Sequence, residues 1–109
     1  MYELTERRKM LLQELQKSQV EYKDNLIESA KKDREYRKLY SQELLIQREK
    51  GMQVSILSDV CRGEERVVQA KTESNIADGL AKASLEKINI LKIEIRILEE
   101  EITAIRQGR

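Results

Sequence analysis

Across residues 1–50 and 64–106 only one residue that ordinarily interrupts a helix occurs, Gly79, and proline is absent from the whole chain. A backbone with so few interruptions, and so rich in Leu, Ile, Glu, Lys, Arg and Gln, is set to form long helices. What those helices can bury is limited too. Phe and Trp are missing and four Tyr are the only aromatics, so the bulky side chains of a thick globular core are lacking. The apolar surface must be spread along a thin seam. Charged residues at 38% and hydrophobic residues at 39% match a coiled-coil-like protein and not a disordered tail.

The first helix is expected over about residues 3–50. Leu4, Leu11, Leu15, Tyr22, Leu26, Tyr36, Tyr40 and Leu44 fall on one narrow stripe at 100° per residue. Leu4, Leu15 and Leu26 are spaced by eleven, as are Leu11 and Tyr22. That repeat predicts a straight or slightly right-handed stripe, where a strict heptad would supercoil to the left.

Residues 51–63 form the break. Gly51 suits the left-handed conformation that ends a helix. Ser55 is the expected N-cap of a short helical turn over Ile56, Leu57 and Val60, and Gly63 its end. Glu64 and Glu65 suit the first turn of the next helix, whose dipole they complement.

The segment INILKIEIRIL, residues 88–98, reads two ways. From Lys92 to Ile97 apolar and charged residues alternate as in a half-buried strand. Yet Ile88, Leu91, Ile95, Leu98, Ile102 and Ile105 step by three and four, the a/d spacing of a helical seam. The strand explains six residues and the helix explains the whole stretch, so a helix over about 64–106 is predicted. Its alternation then defines a second stripe, Ile90, Ile93, Ile97 and Ala104, on another side of the helix. Burying a large aliphatic side chain is worth about 1.5–3 kcal/mol, so this stripe calls for a partner.

The expected architecture is one all-α domain, residues 1–109, an antiparallel helical hairpin that dimerises into a four-helix bundle. Pairing Lys50 with Glu64 gives facing residue numbers that sum to roughly 114. That register sets Leu26 against Ile88 and Leu15 near Leu98. It also sets Tyr36 and Tyr40 against the small residues Ala77, Gly79, Ala81 and Ala83.

Little in the sequence suggests chemistry. There is no His, no glycine-rich phosphate loop, no metal-ligand pair, and no nucleophile with a base at a familiar spacing. No enzyme, cofactor or metal site is expected. Glu99, Glu100 and Glu101 are consecutive on a helix and fan out around it. Cys61 reads as a small apolar residue at the tip. A net charge of +1 gives no overall field for nucleic acid or an acidic membrane. With a lone Cys, no apolar run approaching about 20 residues and no signal-peptide core, the expectation is a soluble cytoplasmic protein with no membrane partner. One stretch, KKDREYRKLY, gathers Lys31, Lys32, Arg34, Arg37 and Lys38 around Tyr36 and Tyr40. Basic side chains interleaved with aromatics can contact phosphates and stack bases, although Asp33 and Glu35 dilute the charge.

The stretches EYRKLYSQELLIQREKGMQVSILSDVCRGEERV and IADGLAKASLEKINILKIEIRILEEEI resemble small helical proteins encoded by tailed phages and prophages of Gram-positive bacteria. The likeness rests on Gly51, Val54, Ser55, Ile56, Leu57 and Asp59 leading into Arg62 and Gly63, and on the closing LKIEIRILEEEI. Gln53 stands where that group commonly has proline, and Cys61 where it has a small residue such as alanine. The resemblance implies an early, non-virion phage product and carries over no functional residue. The function expected is a protein-interaction module that binds a host or phage protein. The alternative is a nucleic-acid-binding accessory to phage replication or recombination.

Overall fold

A computed structural model describes residues 1–108, and its regular structure is entirely helical. Helix α1 spans Tyr2–Glu49, α2 spans Val54–Gly63 and α3 spans Glu65–Arg106, of 48, 10 and 42 residues. The alternating stretch Lys92–Ile97 is helical throughout, and no strand occurs among the described residues. None of these helices is long and apolar enough to cross a membrane.

The end of α1 follows the glycine rule. Gly51 adopts φ 82° while its N–H donates to the Arg48 carbonyl at 3.0 Å and the Met52 N–H to that of Gln47 at 3.1 Å. These two bonds satisfy carbonyls the helix end leaves open, the Schellman arrangement. The start of α2 departs from expectation: the N-cap is Gln53, in extended backbone, and its side chain makes no capping bond. Ser55 lies inside the helix instead. Gly63 does end α2, though without a left-handed turn; the chain passes through extended Glu64 into α3.

The fold divides into two units, each containing antiparallel stretches of α1 and α3. The first combines Met1–Asp24 with the chain from Ala81 onward; the second is Asn25–Leu80 and includes the tip. In the first, Arg8 Nε bonds Glu99 Oε1 at 3.0 Å, and Lys87 Nζ reaches Glu14 at 3.2 Å and Glu21 at 3.7 Å. In the second, Lys32 reaches Glu73 at 3.6 Å and Arg66 reaches Glu43 at 3.2 Å. The closest pair in the first unit sums to 107 and the two in the second to 105 and 109, against the expected 114. The reason is α2. Tyr40 Oη lies 3.0 Å from Ser58 Oγ, with Leu57 and Cys61 buried. The short helix thus folds back along α1, and α3 begins beside Glu43 and not Lys50.

This shift corrects several placements. Leu26 is 46% exposed instead of facing Ile88, and Ile105, at the end of the expected seam, is 46% exposed. Tyr36 packs by Val67 and Lys71, not by the alanines near Gly79. A side chain added at Gly79 would meet nothing within 4 Å, so the tyrosines do not explain that glycine. Ala77 and Ala81 are nonetheless buried, while Ala83 is exposed.

The inward line of α3 is longer than the apolar pattern indicated. Val67, Ala70, Ser74, Ala77, Ala81, Ser84, Ile88, Leu91, Ile95, Leu98 and Ile102 are buried at unbroken steps of three and four. On α1 the inward line from Leu4 is also heptad-like and not eleven-fold. It runs through Arg8, Leu11, Leu15, Ser18, Tyr22, Asn25 and Ser29.

Candidate interaction surface

Label the buried line of α3 as the a and d positions of a heptad, with Val67 at a and Ala70 at d. The residues two places after each a then occupy position c: Gln69, Ile76, Ala83, Ile90, Ile97 and Ala104. From Ile76 onward every one is apolar. A helix paired through a and d turns c outward, where charged residues are usual. Within the first unit Ile90 is 49% exposed, Ile93 47% and Ile97 56%. Ala104 is half-buried near the helix end. These four residues, singled out from sequence, lie along one side of α3, with Ile93 flanking the c line. Ile76 and Leu80, on α3 within the second unit, are also exposed.

A shallow groove adjoins this stripe in the first unit. Leu4, Arg7 and Leu11 of α1 form one wall, and Glu94, Ile97 and Glu101 of α3 form the other. Apolar floor with charged edges suits the side of a helix better than a small polar molecule.

The basic stretch looks different from its sequence. Lys32 is half-buried, 3.6 Å from Glu35, 3.6 Å from Glu73 and 4.0 Å from Glu28. Those carboxylates, Glu35 and Glu73 foremost, hold its ammonium above the usual lysine range. Arg37 Nε is 2.9 Å from Asp33. Lys31, Arg34 and Lys38 add charge on the same helix, and all three are exposed. Both tyrosines are engaged inside the second unit. Lys71 sits 4.8 Å above the Tyr36 ring, Tyr40 lies 6.1 Å from it, and Tyr40 contacts Ser58. A ring already covered by a cation has lost a face for base stacking.

The tip holds a buried charged group that sequence reading missed. Glu43 is only 5% exposed, accepts from Gln47 Nε2 at 2.7 Å and from Arg66 at 3.2 Å. The Gln47 bond foremost, with Arg66, lowers its pKa from the usual carboxylate value. Beside it Cys61 is fully buried, and its thiol pKa is raised by desolvation and by the Glu43 charge. A raised pKa means little thiolate and low reactivity. Glu43 was visible in principle: it lies seven residues after Tyr36 on the inward line through Arg8, Leu15, Tyr22 and Ser29.

Comparison with protein-family models, with curated proteins and with solved structures finds no match.

Proposed function

We propose that this chain is a non-catalytic protein-interaction module, a small phage or prophage accessory protein that binds a host or phage protein in the cytoplasm and self-associates as a homodimer. The observation that carries the reading is the outward c line of α3, apolar at 76, 83, 90, 97 and 104. A solvated helix face gains nothing from five consecutive apolar heptads, and large exposed apolar patches commonly mark interaction surfaces. The phage setting comes from the sequence resemblance. The nucleic-acid alternative draws less support, because Lys32 and Arg37 are ion-paired and Tyr36 is covered.

The test is capture from a bacterial host lysate by the tagged full chain, beside the Ile93→Glu, Ile97→Glu variant. A protein enriched by the wild type and lost with the variant is the expected outcome. Enrichment of nucleic acid alone, falling steeply with salt, would overturn this reading in favour of the alternative.

A further inference from the structure

We infer that the stripe on the C-terminal part of α3 is covered by a second copy of this chain, with the two α3 helices antiparallel about a two-fold axis beside Ile90. This rests on the interaction-module reading and names the occupant of its surface.

The size pattern is the first argument. An antiparallel two-fold at Ile90 pairs residues whose numbers sum to 180, so Ala83 meets Ile97 of the second copy, Ile90 meets Ile90, and Ile97 meets Ala83. Small faces large in the outer layers, as close packing requires. A parallel pair would set Ala83 on Ala83 and Ile97 on Ile97, leaving a gap in one layer and crowding in the next.

Charge is the second argument, and it is independent of size. At 100° per residue, Lys87 and Glu94 lie on one flank of Ile90, roughly 40–60° around the helix from it. In an antiparallel pair each flank meets the same flank of its mate. Lys87, which also reaches Glu14 and Glu21 of its own chain, then lies beside Glu94 of the second copy, twice by symmetry. Both contacts join opposite charges. The parallel alternative brings Glu100 beside Glu101 of the other copy, a like-charge contact. The parallel pair also sets Lys87 beside Glu86, so the size pattern is what separates the two orientations.

The experiment uses the full chain. Sedimentation over a concentration series should show a dimer that Ile97→Glu converts to monomer with its helical circular dichroism retained. Orientation is read by cysteine cross-linking in a Cys61→Ala background, since a disulfide forms only between closely facing positions. The Ile90→Cys chain should link to itself. The Ala83→Cys chain alone should not, but should link when mixed with the Ile97→Cys chain. Glu94→Lys should weaken the dimer by up to about tenfold, two contacts being reversed. A chain monomeric at every concentration would overturn the second-copy proposal while leaving lysate capture to decide the interaction reading. Self-linking of the Ala83→Cys chain, with none of the Ile90→Cys chain, would overturn the antiparallel arrangement even if a dimer forms.

Discussion

The two units use one design with different chemistry. In the unit formed by Met1–Asp24 with the chain from Ala81 onward, α3 buries Ile88, Leu91, Ile95, Leu98 and Ile102, and α1 contributes half-buried Leu4, Leu11 and Leu15. In the unit Asn25–Leu80 the buried a and d positions of α3 are Val67, Ala70, Ser74 and Ala77. There α1 offers half-buried Asn25, Ser29, Lys32 and Tyr36 and buried Glu43. The first is held mainly by apolar area, at about 25 cal/mol per Å². The second relies on close approach of small residues and on hydrogen bonds and ion pairs, whose net contributions are smaller. Identical helical geometry thus hides a gradient in what holds the helices together.

Truncating the apolar seam should break the contrast most strongly. Leu91→Ala or Ile95→Ala should cost about 2–5 kcal/mol in denaturant unfolding, whereas Ser74→Ala in the other unit should change the midpoint little. Comparable losses from both would mean that the units do not differ in this way. Overfilling comes next. Ala77→Leu and Ala81→Leu, at positions 6% and 4% exposed, should each cost about 1–3 kcal/mol; unchanged midpoints would show that those layers have room to spare.

Ser18 sharpens the contrast from the other side. Its hydroxyl is buried without a hydrogen-bond partner, at 1% residue exposure, in the apolar unit. Ser18→Ala removes a desolvated polar group and should stabilise by up to about 1 kcal/mol. A clear destabilisation in the same unfolding assay would mean the hydroxyl has a bonding role.

The smallest effect concerns pH. Glu43 has a lowered pKa in the folded chain, so its contribution is present above the unfolded carboxylate pKa and is lost as pH falls through the folded value. Glu43→Gln should flatten the acid limb of stability against pH without moving the neutral-to-alkaline limb. Lys32 has the opposite sign: its raised pKa gives stability that is lost only at alkaline pH, as pH rises through the folded value. An acid limb unaltered by Glu43→Gln would assign acid sensitivity to other carboxylates.

The same contrast explains what is legible in the sequence. The α3 seam from Ile88 to Leu98 can be read because Ile and Leu occupy every inward place. Its continuation through Ala70, Ser74, Ala77 and Ser84 cannot, since alanine and serine are equally at home facing water. On α1 the inward line is interrupted by Arg8, Ser18, Asn25 and Ser29. An eleven-residue spacing of leucines therefore looks cleaner than the heptad that is present, and it draws Leu26 inward wrongly. The expected register misses because it depends on how α2 folds back, through contacts such as Tyr40 to Ser58, which no periodicity encodes. The c-line stripe is legible because it breaks the rule that outward positions are polar.

The Arg8–Glu99 contact joins residues 91 apart in the chain, and this separation has a kinetic consequence. The buried large aliphatic side chains Ile88 to Ile102 lie where contacts are most distant in sequence, and the stretch of α3 before them buries mainly alanine and serine. A hairpin that zips from its turn must first form the poorly rewarded part. Meeting end to end instead requires loop closure at an entropic cost that grows as about (3/2)RT ln n. Either route delays the reward, so folding should be slower than in helical proteins rich in local contacts. During synthesis the leucines of α1 emerge long before Ile88 to Ile102 exist to cover them, and the nascent first helix must wait with its apolar edge open.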